Sequence, residues 1–212
     1  MSRVLVGASG WSYPSWRPGF YPGGARPEEF LRLYSKRLPA VELNATGYRL
    51  PSAEQFRLWA EQVPDGFRFA VKAPPLVLRR PDVVLERVRE LGDRLGCVRV
   101  VVVSARDDAL LEHLLSKFGG TRLALDFRHA SWDEADVPLG EGVLRVGDWH
   151  AQADWRYLRF REPPYDDDDL LGIAAHLRPL LDAGIEVFAF FRHEDEPTAP
   201  HAALRVLELI QS

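Results

Sequence analysis

Residues 98–127 read "VRVVVVSARDDALLEHLLSKFGGTRLALDF" and contain one complete strand, helix and strand pattern. The run 98–104 is rich in valine, and 122–127 is a second short apolar run, which is typical of buried β-strands. Between them, 107–118 has leucines at helical spacing and ends at a pair of glycines. A strand, a helix and a strand in this order predict a right-handed crossover between parallel strands.

The same alternation extends along the whole chain. Eight runs have strand character: 3–9, 40–44, 67–72, 98–104, 122–127, 143–148, 155–160 and 186–191. Helical patterns begin near Pro27 and Ser52 and cover 82–95, 107–118, 167–183 and 200–211. The gaps after the fifth and sixth strands are too short for a full helix.

We therefore predict an α/β fold that forms one domain over residues 1–212. The expected architecture is a compact (β/α)₈ TIM-type barrel with helices reduced or missing after strands 5 and 6. The alternative is an open doubly wound sheet. Such a sheet normally carries a phosphate-binding glycine fingerprint when it binds a nucleotide, and "GASG" at 7–10 is not one.

Composition limits the class of protein. Hydrophobic residues make up 46% of the 212 residues and the net charge is −4, so we expect a globular protein without a global positive field, for which nucleic acid is an unlikely partner. Cys97 is the only cysteine, which excludes a disulfide framework. The first residues lack a signal peptide and no run is long enough for a membrane helix, so we expect a cytoplasmic protein. No cofactor is indicated, and the oligomeric state stays open.

Polar residues gather where the predicted strands end. In parallel α/β folds these ends form one rim that holds the active site. The candidates at this rim are Trp11, Glu42, Asn44, Lys72, Asp126, Arg128, His129, Asp148, Arg159, Arg161 and Arg192. They include five cations and three carboxylates. A surplus of positive charge at the rim predicts an anionic ligand, because arginine binds phosphate and carboxylate with two parallel hydrogen bonds.

Other interpretations of these residues stay open. The charges can form a closed salt-bridge layer with no ligand, or Glu42, Asp126, Asp148 and His129 can hold a metal, although we predict none. The aromatic segment 10–21 is either a folded plug or a stacking wall for a sugar ring or a base. We interpret the acidic run 166–169 as a helix N-terminus.

Four motifs resemble those of the YecE-like proteins, a family of domains of unknown function with a TIM-barrel fold. They are "GASGWSYPSW" at 7–16, "VELNATGYRLPS" at 41–52, "FRFAVKAP" at 67–74 and "LALDFRHASW" at 123–132. The resemblance implies a polar pocket formed by Glu42, Asn44, Tyr48, Arg49, Lys72, Asp126, Arg128, His129 and Trp132. It implies no substrate.

The chain departs from the family pattern on one side of this pocket. Arg161 and Glu162 stand where the family usually has His-Gly after strand seven, and Arg192 and His193 replace Asn-Asn after strand eight. "VVSARD" replaces the usual Gln-x-Pro-Pro after strand four, and Asp126 replaces a glutamate. Two of these changes add cations.

We expect an enzyme that binds a small phosphorylated or carboxylated ligand and performs hydrolysis or lyase- or isomerase-type proton transfer. Glu42, Lys72, Asp126 and His129 are the predicted catalytic residues. Trp11, Asn44, Tyr48, Arg49, Arg128, Asp148, Arg159, Arg161 and Arg192 are the predicted ligand-binding residues. The alternatives are a non-catalytic anion-binding barrel with a degenerate site and a nucleic-acid-processing enzyme, which would bind less tightly at high salt.

Overall fold

The computed structural model describes residues 3–133 and 137–211 and confirms the predicted alternation of strands and helices. The described residues form eight strands, β1 to β8: Val4–Ala8, Ala40–Leu43, Arg68–Lys72, Leu95–Val102, Leu123–Phe127, Val143–Arg145, Trp155–Phe160 and Glu186–Phe191. They form six α-helices, α1 to α6: Phe30–Ser35, Ala53–Glu61, Pro81–Val88, Asp108–Lys117, Asp167–Asp182 and Thr198–Gln211. None of these helices combines the length and apolar character that crossing a bilayer requires.

Glycines lie near two of the element boundaries that differ from the prediction. Strand β6 ends at Arg145 instead of continuing to 148, since Gly147 has a φ of 85° and turns the chain away. The helical pattern predicted over 82–95 ends as α3 at Val88 and continues as 3₁₀ turns. Gly92, with φ 53° and ψ −135°, interrupts those turns.

The reduced helices were predicted correctly in the part of the chain that the structure describes. After β5 there is one 3₁₀ turn, Ala130–Trp132, and residues 146–154 between β6 and β7 contain no helix. Two helix starts also agree with the sequence. Ser52 caps α2, and Asp166 with Asp169 forms a reciprocal capping box at the start of α5, which accounts for the acidic run.

The strands form two parallel sheets. One has the order β1-β8-β7 and the other β2-β3-β4-β5-β6, and every ladder within them is parallel. The prediction of parallel strands joined by crossovers is therefore confirmed.

Side chains and single hydrogen bonds connect the two sheets at both junctions. Between β1 and β2, the Tyr34 hydroxyl accepts from Ala8 N–H at 2.8 Å and donates to the Ala40 carbonyl at 3.0 Å. The backbones lie so close that a Cβ on Gly7 would be 1.9 Å from the Ala40 oxygen, so only glycine fits there. After β6, Gly147 N–H donates to the Tyr157 carbonyl at 2.8 Å.

Buried apolar residues form two separate layers. The larger layer lies between the strands and the helices. The smaller one, termed the inner cluster, takes residues from every strand: Leu5, Ala40, Ala70, Cys97, Ala124, Leu144, Trp155, Tyr157, Phe188 and Phe190. Cys97 lies here as a buried free thiol, and burial raises its pKa. A layer of charged side chains lies next to the inner cluster, on the side of the C-terminal ends of the strands.

Tyr34→Phe tests the bridge between β1 and β2. The variant keeps the ring but removes a partner from Ala8 N–H and from the Ala40 carbonyl, which are buried. We expect the free energy of unfolding to fall by about 2 kcal/mol, measured by urea denaturation. Tyr48→Phe is the matched control, because Tyr48 is 81% exposed. Its effect should stay within about 0.5 kcal/mol; equal losses in both variants would argue against the bridge.

Candidate functional site

The charged residues lie one step above the inner cluster on the same strands. Side chains two residues apart on a strand share a face. Ala40, Ala70, Cys97, Ala124 and Tyr157 of the inner cluster are thus followed by Glu42, Lys72, Arg99, Asp126 and Arg159. Together with Arg128 and Arg161, these five residues are called the charged cluster below. It lies towards the C-terminal ends of the strands, as predicted from the sequence.

Arg99 of β4 is the centre of the charged cluster. Its side chain is 2% exposed and donates Nη1 to Glu42 at 3.1 Å and Nε to Asp126 at 2.9 Å, with Nη2 also bonded to Asp126. One guanidinium group therefore joins β4 to β2 and β5. Sequence reasoning missed Arg99, although an arginine within the apolar run 97–103 must find buried partners and was a usable signal.

The two carboxylates accept from several donors. One Asp126 oxygen, Oδ2, accepts from Arg128 and Arg161, each at 2.9 Å, as well as from Arg99. Glu42 accepts from the Tyr157 hydroxyl at 2.5 Å, and Arg159 Nη2 lies 2.9 Å from its Oε2. Tyr157 was also not predicted, because a tyrosine in the middle of a strand is usually a core residue.

The pKa values of both carboxyl groups are shifted downwards. Burial by itself raises the pKa of Glu42, but Arg159, Arg99 and the Tyr157 hydroxyl outweigh it and hold the pKa below its ordinary value. Burial likewise raises the pKa of Asp126, and Arg99 with the other guanidinium groups lowers it. Both carboxylates therefore stay ionised at neutral pH, which makes them counter-charges for the arginines and poor proton donors.

Two arginines of the cluster retain unused donors. The Arg159 side chain is 10% exposed, and its Nε has no hydrogen-bond acceptor among the described residues. The buried Nε of Arg161 likewise has no hydrogen-bond acceptor among the described residues. A buried donor without an acceptor costs about 1–3 kcal/mol, so both groups favour an added acceptor.

Lys72 lies at the edge of the charged cluster. Its Nζ is 4.8 Å from the ring centroid of Tyr48, and its carbon chain passes over Gly47, where a Cβ would come within 2.7 Å of it. No carboxylate of residues 3–133 or 137–211 forms an ion pair with Lys72. Burial and then the charge of Arg99 lower its pKa, which increases the share of neutral amine near physiological pH.

The charged cluster carries a surplus of positive charge. It contains the cations Lys72, Arg99, Arg128, Arg159 and Arg161 and the carboxylates Glu42 and Asp126. Arg128 and Arg161 are 40% and 33% exposed, so the surplus faces solvent. The predicted salt-bridge layer and the predicted surplus of cations are therefore both present.

A second group borders the charged cluster at the ends of β1 and β8. Ser9 Oγ lies 3.0 Å from His193 Nδ1 and accepts from the His193 backbone N–H. The His193 ring stacks on Tyr13 at 4.8 Å. Burial, followed by Arg192, lowers the pKa of His193, so the ring is neutral at physiological pH. These contacts position Tyr13 beside the charged cluster.

Three predicted residues lie outside the charged cluster, contrary to the prediction. Asp148 follows the turn at Gly147 and accepts from the His150 N–H at 2.8 Å. His129 accepts from the Ser131 N–H at 3.2 Å and so caps a 3₁₀ turn. Arg192 pairs with Glu194 at 3.4 Å and its Nη1 donates to the Arg161 backbone carbonyl at 3.5 Å, so it borders the cluster without pairing with the carboxylates of the cluster. Local turns hold the side chains of Asp148 and His129, and strand periodicity does not reveal such turns.

Other candidates have structural or exposed positions. Trp132 is buried, stacks on Phe127 and donates to the Ser104 carbonyl at 3.0 Å. Arg49 is exposed and makes no hydrogen bond or ion pair with any residue that the structure describes. Within the described ranges, no three His, Cys, Asp or Glu side chains are grouped to hold a metal, so the alternative metal set is not assembled there.

The aromatic segment 10–21 has a buried part and a part that lines a cavity. Trp16, Phe20 and Tyr21 are buried in the larger apolar layer, between the strands and the helices, and not in the inner cluster, so they do not plug the interior as the first alternative predicted. Trp11 and Tyr13 instead line a cavity of about 480 Å³ together with Asn44. The predicted ligand-binding residues Trp11 and Asn44 thus share a cavity beside the charged cluster.

Comparisons with known proteins identify relatives of this chain. The model of the family "Protein of unknown function DUF72" matches residues 5–212, which confirms the resemblance seen in the sequence motifs. The UPF0759 protein YunF of Bacillus subtilis is 31% identical over 70 residues, and the match covers 33% of this chain and 24% of YunF.

Solved structures show the same fold. The DUF72 family protein EF0366 of Enterococcus faecalis has a TM-score of 0.81 at 15% identity, covering 99% of this chain and 96% of that one. The DUF72 family protein TM1631 of Thermotoga maritima has a TM-score of 0.79 at 23% identity, covering 99% of both chains.

Arg99→Met tests the centre of the cluster. Removing one partner of a buried ion pair leaves uncompensated charge, so we expect the free energy of unfolding to fall by about 3–5 kcal/mol near neutral pH. The control is Arg205→Met, which breaks an exposed two-bond pair with Asp167. It should cost far less than Arg99→Met, because exposed ion pairs contribute little to stability. A loss for Arg99→Met no larger than the control would contradict the assignment.

The effect of Arg99→Met should also depend on pH. The folded pKa values of Glu42 and Asp126 lie below their ordinary values of 4.5 and 3.8. Their contribution to stability is therefore complete above those values and is lost as the pH falls through the lower folded pKa values. We expect the difference between wild type and variant, measured by urea denaturation, to narrow below about pH 4. A difference that stays constant with pH would contradict the ion pairs.

Proposed function

The chain belongs to the protein family of unknown function DUF72, and from that premise we propose that it binds a small phosphorylated or carboxylated anion at the charged cluster and acts on it as an enzyme. The observation that carries this proposal is Arg159, a nine-tenths buried arginine with an unused donor beside Arg161 and Lys72.

We also propose that the two sheets close into one eight-stranded barrel that forms a single domain. Three observations support closure. The inner cluster takes residues from all eight strands, as the interior of a barrel does. Tyr34 and Gly7 join β1 to β2, and the Gly147 hydrogen bond joins the end of β6 to β7. One family model covers residues 5–212. In such a barrel, the charged cluster lies at the C-terminal mouth.

The crowding of guanidinium groups supports an anionic ligand. Arg99, Arg128 and Arg161 all converge on a single Asp126 oxygen, so each lies in the positive field of the others. Burial and the neighbouring arginines lower the pKa of Arg161 despite the attraction of Asp126. A phosphate or carboxylate oxygen placed against Arg159 and Arg161 would accept their free donors and reduce this repulsion.

Lys72 is the group best suited to proton transfer. The surrounding arginines pair with Glu42 and Asp126 and keep both carboxylates ionised. We therefore propose that these two carboxylates orient the arginines. Lys72 has a lowered pKa and no ion-pair partner in the described ranges, which lets its neutral amine accept a proton or condense with a carbonyl group. These properties favour isomerase- or lyase-type proton transfer over hydrolysis.

A second candidate function is anion binding without catalysis. The specific observation in its favour is that both carboxylates of the charged cluster are already consumed by ion pairs. Turnover separates the two candidates, because only the enzyme requires the chemistry of the Lys72 amine in addition to its charge.

Inorganic phosphate tests the anion site. We expect wild type to bind phosphate in isothermal titration calorimetry, and Arg159→Met and Arg161→Met each to weaken binding at least about tenfold, equivalent to about 1.4 kcal/mol. Arg205→Met removes a charge on α6, outside the cluster, and should leave the affinity unchanged. Absence of phosphate binding in wild type, or equal affinities in all variants, would reject the proposal.

Lys72→Arg tests proton transfer. The substitution keeps the positive charge but replaces an amine whose pKa is lowered by burial with a guanidinium group that stays protonated. Phosphorylated aldoses and ketoses and small carboxylates are incubated with the protein in D₂O, and deuterium incorporation is followed by proton NMR. We expect wild type to exchange a carbon-bound proton, faster as the pH rises, and Lys72→Arg to lose at least about a hundredfold in rate while still binding phosphate. Phosphate binding without exchange in wild type would favour the non-catalytic binder.

A further inference from the structure

The cavity beside the charged cluster has the lining of a binding site for a neutral ring. It measures about 480 Å³ and lies between the ends of β1 and β2 on one side and the starts of α1 and α2 on the other. Trp11 and Trp59 supply aromatic surface, and Asn44 and Gln55 supply side-chain amides. Small-molecule sites combine these features, an apolar wall with a few placed polar groups.

Some polar groups of this lining are already bonded, such as the Gln62 amide to the Leu58 carbonyl, but others are not used by the described residues. The side-chain amides of Asn44 and Gln55 form no hydrogen bond with any residue of the described ranges, and neither do the indole N–H groups of Trp11 and Trp59. An amide has both a donor and an acceptor and can therefore bind two neighbouring hydroxyl groups at once. The lining contains no lysine or arginine, and its one carboxylate, Glu28, pairs with Arg26 at 3.5 Å, so the donors and acceptors of the amides suit an uncharged, hydroxyl-rich ring.

The arrangement of the two indoles favours a puckered ring over a flat one. Trp11 and Trp59 meet edge to face, with ring centroids 5.3 Å apart and planes at 88°. They contact each other directly, so a planar base cannot insert between them as it does between two parallel rings. A sugar ring fits such a corner, because its C–H face packs on one indole while its hydroxyl groups reach the amides.

The cavity borders the charged cluster, although its lining contains none of the side chains of that cluster. Asn44 follows Glu42 by two residues, and the Thr46 hydroxyl, which lines the cavity, lies 2.7 Å from the Lys72 carbonyl. Tyr13 lines the cavity from the other side and stacks on His193. Burial, followed by the charge of Glu42, raises the pKa of Tyr13 to about 12, so its hydroxyl is neutral; it donates to the Ser9 carbonyl at 3.2 Å and keeps its oxygen as an acceptor at the border.

Because the cavity and the charged cluster are neighbours, we infer that the ligand of the charged cluster is a sugar with an anionic substituent. The ring lies in the cavity against Trp11 and Trp59, and its phosphate or carboxylate reaches Arg159 and Arg161. This inference rests on the proposed anion site. It adds the substrate class, which the arginines alone do not specify.

Dissociation constants measured by calorimetry for four probes test the inference: inorganic phosphate, glucose, glucose 6-phosphate and adenosine monophosphate. Wild type should bind glucose 6-phosphate at least about tenfold more tightly than phosphate, the effect of one or two hydrogen bonds plus ring packing. Gln55→Leu and Asn44→Leu should each remove most of this gain and leave phosphate affinity unchanged. Arg159→Met should weaken both ligands. Gln152→Leu, whose amide lines a different cavity, is the matched control and should change neither.

The outcomes separate this inference from the proposed function. If phosphate binds and responds to Arg159→Met but glucose 6-phosphate binds no more tightly, the sugar inference is overturned and the anion site stands. If wild type binds no phosphate, the proposed anion site itself fails. If adenosine monophosphate binds more tightly than glucose 6-phosphate, the cavity takes a base, and the sugar inference is overturned. Gln55→Leu keeps the test valid if Asn44→Leu fails to fold, since Gln55 is a partly exposed residue of α2.

Discussion

A buried guanidinium group sets the strongest constraint on this structure. Arg99 is almost inaccessible to solvent, and its donors must be matched by Glu42 on β2 and Asp126 on β5. Buried ion pairs contribute little net stability, because desolvation offsets most of the attraction. An apolar side chain of similar volume would fill the same space without that cost. The presence of Arg99 is therefore better explained by what it holds in place, namely two ionised carboxylates and the arginines that gather around them.

The alternation of side chains along each strand decides where this charge lies. Small and aromatic residues of the inner cluster occupy one level, and the next residue on the same face is charged on five strands. The apolar floor excludes water from below, so the effective dielectric constant falls and each charge acts more strongly on its neighbours. The same apolar layer also keeps the charged side chains from reaching solvent at the N-terminal ends of the strands. The charged cluster is open to solvent towards the ends of the strands, where Arg128 and Arg161 are partly exposed.

Sequence reasoning predicted the strands and the side-chain faces but not the partners across the sheets. Period-two alternation placed Glu42, Asp126, Arg159 and Arg161 on one level, and the structure brings them together. Arg99 was missed because a strand of valines was interpreted only as core. Asp148 and His129 were misplaced for the opposite reason: each was counted by its position after a strand, while a local turn takes up its side chain. Glycines and capping side chains determine the backbone turns at the strand ends. The alternation of side chains along a strand does not reveal these turns.

Arg161 adds to the positive surplus at a position where this chain departs from the YecE-like motif. That motif usually has a histidine after strand seven, whereas this chain has an arginine that donates to Asp126 Oδ2. That oxygen already accepts from Arg99 and Arg128, so the additional guanidinium group brings more repulsion than new pairing. A further positive charge without a counter-charge is unfavourable by itself. An external oxygen that accepted from Arg159 and Arg161 would offset this repulsion, which supports the anion proposed above as the ligand of the charged cluster.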